Sequence, residues 1–132
     1  MVGPGTGIAP MRALMQERVK RSASGRNILF FGCRRKSEDW LYRSEMEGWV
    51  DVGKMELFTA FSREQKEKVY VQNIIAKEAK MVGELVKGGA WVYVCGATAM
   101  GADVVKAVKD IVGAEKVRKM QEEGKFIQEL WA

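Results

Sequence analysis

The stretch AWVYVC, residues 90–95, is a continuous apolar run of aromatic and β-branched residues. Such a run reads as a strand buried on both faces, and Gly96 follows it before a helical pattern begins. Met100, Val104, Val105, Val108, Ile111 and Val112 then line one face of that helix. The same alternation runs through the chain. Met11, Leu14, Met15 and Val19 recur at helical spacing before the strand-like NILFFG (27–32), and KMELFTAF (54–61) is the next strand. Strands without a polar face, separated by amphipathic helices, predict an α/β fold: a doubly wound parallel sheet with helices on both faces.

Finer expectations follow from local signals. Ser37 is placed to cap a helix whose first turn carries acids, and one long helix is expected from Tyr70 to Val86, stopped at Gly88-Gly89. A charged helix over 114–123 and a last strand in KFIQELWA complete the reading. The opening MVGPGTGIAP wants an apolar strand running into its glycines, and only Met1 and Val2 stand there. The expectation is one domain over residues 1–132 with its first strand truncated, a fragment of a longer protein.

Composition removes several classes of chemistry. The 132 residues include no histidine, which excludes His-based triads, and two cysteines fall short of a zinc ligand set. No metal site is expected. No apolar run reaches the roughly 18–20 residues of a membrane-spanning helix, and no secretory signal is visible. Cys33 and Cys95 follow strand-like runs and suit a reducing, cytoplasmic setting. The net charge of +5 is compatible with nucleic acid, an acidic protein or a phosphorylated cofactor. No aromatic-rich basic motif supports nucleic acid.

Four stretches carry residues suited to chemistry. Gly3, Gly5 and Gly7 flank Pro4 and Thr6 ahead of a helix with Pro10 in its first turn, which suits a phosphate loop as well as a plain turn. It is not a Walker loop, because no Gly-Lys-Ser/Thr follows. FSREQKEKVYVQ offers Ser62, Arg63, Lys68, Tyr70 and Gln72: a hydroxyl, a guanidinium fork, an ammonium and an aromatic face that would select the 2′-phosphate of NADP. By itself the stretch also reads as a solvated loop. Cys95 stands at the carboxyl end of a buried strand, where open α/β sheets bind ligands, although core packing is the commoner role for a lone thiol. Trp131, one residue from the end, reads as a gap filler or as a cover for a flat ligand.

In this order GPGTGIAPMR, FFGCRR, AFSREQKEKVYVQ, VYVCG and the terminal aromatic resemble the NADPH-binding domain of the diflavin reductases, a ferredoxin-NADP reductase-type domain. The resemblance covers almost the whole chain. It implies that Gly5, Thr6 and Gly7 form the pyrophosphate loop and that Arg34 helps hold the nucleotide. Ser62, Arg63, Lys68, Tyr70 and Gln72 correspond to the 2′-phosphate and adenine site, and Asp103 to an acid of the same site. Cys95 is similar to the thiol beside the nicotinamide, Glu129 stands for the usual aspartate near it, and Trp131 resembles the aromatic that stacks on FAD and swings aside.

The implied activity is hydride transfer from NADPH to FAD, then electrons through FMN to an acceptor haem or iron–sulfur protein. The implied partners are the FAD-binding and FMN-binding domains of the same polypeptide, and the implied location is the cytoplasm or the cytoplasmic face of a membrane. Departures from the family pattern are Ala97 in place of an acid, Met11 in place of phenylalanine, the longer Glu129, and a shorter interval from Met100 to the end. The alternative is a non-catalytic NADP(H)-binding or partner-docking module.

Overall fold

The computed structural model describes all residues, Met1–Ala132. Four strands are present: β1 (Ile28–Cys33), β2 (Glu56–Phe61), β3 (Val92–Ala97) and β4 (Phe126–Trp131). β1 pairs in parallel with β2 from Ile28 opposite Glu56 to Cys33 opposite Phe61. β3 pairs in parallel with β4, with Cys95 opposite Glu129 and Ala97 opposite Trp131. The segment Met1–Gly3 lies between the two pairs, and Val2 bridges to both Phe30 and Val94. Its backbone donates from Val2 to the Tyr93 carbonyl (2.7 Å) and accepts from Cys95 (2.9 Å) and Phe30 (2.9 Å). Across the molecule the order is therefore β2, β1, Met1–Gly3, β3, β4, and the expected parallel sheet with helices on both faces is present.

Side-chain alternation along the strands divides the core into two layers. Leu29, Phe31 and Cys95 face helices α1 (Ile8–Lys20) and α3 (Arg43–Asp51), meeting Ile8, Met11, Met15 and Met46. Ile28, Phe30 and Val94 face the other layer, built from α4 (Val71–Lys77), α5 (Ala79–Lys87), α6 (Thr98–Val112) and α7 (Ala114–Glu122). Val104, Val108 and Val117 pack there from α6 and α7. No helix is long and apolar enough to cross a membrane.

Two local expectations are corrected. Ser37 does not cap a helix: it lies inside the one-turn α2 (Lys36–Asp39), and the Asp39 carboxylate accepts from the Arg35 N–H (3.0 Å). The chain leaves that turn because Trp40 packs its indole against Phe31 and Phe61, with ring centroids 6.0 and 5.6 Å away. Tyr42 then turns left-handed (φ 56°) to start α3. The helix expected from Tyr70 to Val86 is broken at Glu78, whose ψ of 28° leaves the helical region. Neither Gly nor Pro marks the break. The buried positions Val71, Ile75, Val82 and Val86 keep a helical period through it, so the pattern does not reveal it.

Met15 is fully buried between α1 and the sheet. Met15→Ala is expected to cost about 2–5 kcal/mol, through lost transfer energy and the cavity left behind. Urea unfolding should show a lower midpoint with little change in slope.

Candidate functional site

The residues singled out in the sequence gather mainly at the carboxyl ends of the parallel strands. The loop after Met1–Gly3 forms one 3-10 turn, Gly5–Gly7, closed by the Gly7 N–H on the Pro4 carbonyl (3.0 Å). Gly5 is left-handed (φ 56°), and a Cβ there would meet nothing within 4 Å, so its outer side faces open space. Gly7 is required for a different reason. A Cβ at this position would lie 2.1 Å from the Cys95 carbonyl oxygen, so the loop is seated directly on the end of β3. Thr6 is exposed beside it.

α1 begins at once, with no side-chain cap and no acid in its first turn. Its leading N–H groups and the positive end of its dipole thus lack an anionic side-chain partner. The loop suits a phosphate group on these grounds.

To one side of the loop lie the ends of β1 and β2. The ladder continues past the strands: Ser62 N–H donates to the Cys33 carbonyl and Arg63 N–H to the Arg34 carbonyl, both at 3.0 Å. Arg34 and Arg63 are therefore neighbours across the ladder, both exposed, and neither they nor Lys68 enter an ion pair. Two residues not anticipated from sequence shape this loop. Gln65 Nε2 donates to the carbonyls of Phe61 (2.7 Å) and Glu67 (2.8 Å), and Asn73 Oδ1 accepts from the Tyr70 N–H (2.8 Å). Tyr70, 44% exposed, begins α4 with its ring presented to solvent.

Gln72 and Asp103 meet across the gap between α4 and α6, with Gln72 Nε2 3.4 Å from Asp103 Oδ2. They line a cleft of about 1160 Å³ shared with Lys80 and Lys106. Gln72 Oε1 is buried without a hydrogen-bond donor.

On the other side of the loop lie the ends of β3 and β4. Cys95 and Glu129 are register partners, and both line a cavity of about 300 Å³ with Pro10, Met11 and Ile127. Burial first, and then the charge of Glu129, push the Cys95 thiol above its ordinary range. Both causes disfavour the thiolate. Trp131 closes β4, 45% exposed, and its carbonyl accepts from Thr98 Oγ1 (2.9 Å), which ties the strand end to the start of α6. Thr98 was not anticipated, and its signal is a hydroxyl at a strand-to-helix turn.

The cationic group and the Cys95 group thus flank the glycine loop, four strand spacings apart from β2 to β4, or about 19 Å. The loop stands where the chain first winds one way, to β1 and β2, and later the other way, to β3 and β4. Open α/β sheets bind ligands at such a switch point.

Residues 1–106 match the family described as oxidoreductase NAD-binding domain. The chain belongs to that family. It is 45% identical over 132 residues to the sulfite reductase [NADPH] flavoprotein alpha-component of Aliivibrio fischeri, covering 98% of this chain and 22% of that protein. It is 39% identical over 149 residues to the NADPH–cytochrome P450 reductase of Bos taurus, covering 100% and 22%. It is also 37% identical over 142 residues to NADPH oxidoreductase A of Dictyostelium discoideum, covering 99% and 22%. The chain therefore spans about a fifth of the length of these relatives, and corresponds to the NAD(P)H-binding module of the diflavin-reductase family.

Both thiols should be poor nucleophiles in the native chain. Burial, followed by the charges of Asp39 and Glu64, pushes Cys33 up to about 11. At pH 8 that leaves roughly a hundredfold less thiolate at Cys33 than in an unfolded thiol of ordinary pKa. Iodoacetamide should therefore alkylate the native chain far more slowly than the urea-unfolded chain. In a Cys33→Ser background, Glu129→Gln should speed alkylation of Cys95 by removing the opposing charge. The linkage runs the same way for both thiols: a raised folded pKa contributes stability below the ordinary thiol range, and that contribution is lost as pH rises through the folded value, which for Cys33 is about 11.

Proposed function

We propose that this chain binds NADP(H) along the carboxyl edge of its sheet and presents it to a flavin carried by another part of the same reductase. The observation that carries the reading is the arrangement in line: unpaired cations at the ends of β1 and β2, the glycine loop at the switch point, and Cys95 with Glu129 at the ends of β3 and β4. An extended dinucleotide has the same order, with a phosphorylated adenosine, a pyrophosphate and a nicotinamide.

In this reading Gly5, Thr6, Gly7 and the start of α1 hold the pyrophosphate through backbone N–H groups. Arg63 and Ser62 grip the 2′-phosphate, with Lys68 adding charge and Arg34 supporting from the neighbouring strand. Tyr70 offers a face to the adenine, and Gln72, held by Asp103, borders it. Bound NADPH would supply a hydride to FAD, and FMN would carry the electrons to a haem or iron–sulfur protein. Cys95 borders the nicotinamide as a neutral thiol, and Glu129 sets the local charge beside it. Trp131, exposed at the end of β4, would offer its indole face to a bound flavin ring. The two free cysteines suit a reducing compartment, and we assign the activity to the cytoplasm.

Calorimetric titration with 2′-phospho-AMP and with AMP tests the reading on the chain by itself. The phosphorylated nucleotide should bind clearly more tightly, and equal affinities would sink the NADP assignment. Arg63→Ala should remove a charge-assisted interaction of roughly 1.5–3 kcal/mol and narrow the difference between the two nucleotides. A preference left intact in that variant would reject Arg63 as its source.

A further inference from the structure

The polar loop between β2 and α4 takes its shape from side chains, because its backbone makes almost no bonds of its own. Ser62 and Arg63 continue the β1 ladder, but no backbone N–H from Glu64 to Tyr70 donates to another backbone group. Three side chains fasten the stretch instead. Glu64 Oε1 accepts from the Lys36 N–H, Asn73 Oδ1 accepts from the Tyr70 N–H, and Gln65 makes the bonds inside the loop. Its single Nε2 donates to the Phe61 carbonyl, at the end of β2 (2.7 Å), and to the Glu67 carbonyl (2.8 Å). A shared nitrogen makes those two carbonyls neighbours, whereas the same stretch fully extended would span about 20 Å. Closure therefore brings Lys68, which follows Glu67, back towards Ser62, which follows Phe61.

We propose that Gln65 is a positioning residue for the 2′-phosphate, whose amide holds the loop closed so that Lys68 stands beside Ser62 and Arg63 before any nucleotide arrives. The proposal rests on the NADP(H) reading above, and adds to it the residue that keeps the cations together. Arg34, Arg63 and Lys68 are exposed and enter no ion pair, so their mutual repulsion spreads an unfastened loop. An amide is suited to oppose that spreading. Its NH2 group has one hydrogen for each carbonyl and carries no charge, whereas a lysine would add to the repulsion and a carboxylate could not donate. Gln65 is itself exposed and belongs to neither core layer, so its bonds serve the loop rather than the core. The gain is pre-organisation: a loop already closed does not have to be ordered at the expense of binding.

Calorimetry of 2′-phospho-AMP and of AMP on the full chain tests the proposal with Gln65→Met, which keeps the length of the side chain and removes both donors. The variant should bind 2′-phospho-AMP about tenfold more weakly and AMP within about twofold of the parent, at an unchanged urea midpoint. Gln121→Met, the same change at an exposed residue of α7, should alter neither affinity. Action through Lys68 makes the two losses overlap, so in a Lys68→Ala background Gln65→Met should cost less than about threefold. If the methionine variant fails to fold, Gln65→Ser carries the same comparison. A preference for the phosphorylated nucleotide left intact would overturn the proposal. So would an equal loss for both nucleotides, which marks a general loosening of the site. Losses that add in full in the double variant would also overturn it, because Gln65 would then act elsewhere than on Lys68. A parent chain with no preference for 2′-phospho-AMP would instead remove the NADP(H) reading beneath it.

Discussion

Three residues join the two strand pairs of this molecule into one sheet. Met1, Val2 and Gly3 hydrogen-bond through their backbones to β1 on one side and to β3 on the other, while the Val2 side chain is buried in the larger core layer. Without that seam, β1 with β2 and β3 with β4 would be separate two-stranded sheets, joined only by the helices packed on their faces. The same seam sets the position of the glycine loop. Because Gly3 ends the shared segment, the turn at Gly5–Gly7 starts between the two halves and rests on the Cys95 carbonyl. The anchor of the fold and the centre of the candidate site are thus consecutive in the chain.

This arrangement explains why one edge of the sheet gathers residues that are far apart in sequence. Parallel strands all end on the same side, so the residues that follow them converge there irrespective of their spacing. Arg34 and Arg63 are 29 positions apart and become neighbours through one backbone hydrogen bond. Cys95 and Glu129 are brought together by the β3–β4 register in the same way. The side chains that shape the site are less conspicuous than those proposed to touch the nucleotide. Gln65 and Asn73 fold the polar loop, and Thr98 fastens the end of β4.

The two core layers differ in kind. Valines dominate the layer under α4 to α7, where stiff side chains suit close packing on a flat sheet. Methionines fill much of the layer under α1 and α3, and their flexible thioethers accommodate the irregular route through Trp40 and Tyr42. That second layer stops short of β4. The uncovered strip beside Cys95 is therefore a consequence of topology: α1 and α3 serve the crossovers on the β1–β2 side, and the β3–β4 crossover through α6 and α7 covers the other face.

The sequence by itself determined the fold class, the four strands and most helices, because continuous apolar runs and 3.6-residue periods are local properties of the chain. It also carried the family pattern, since GPGTGIAP, the Ser62–Gln72 stretch and VYVCG are contiguous motifs. Tertiary structure alone decided the rest. The breaks at Glu78 and around Trp40 arise from packing against other elements, and neither Gly nor Pro announces them. The need for glycine at position 7 comes from the Cys95 carbonyl, 88 residues away in the chain. The open face of Trp91 and Ile127 follows from strand order and from which helices cover which strands. A linear pattern says that these residues are apolar, but only the assembled sheet says what they face.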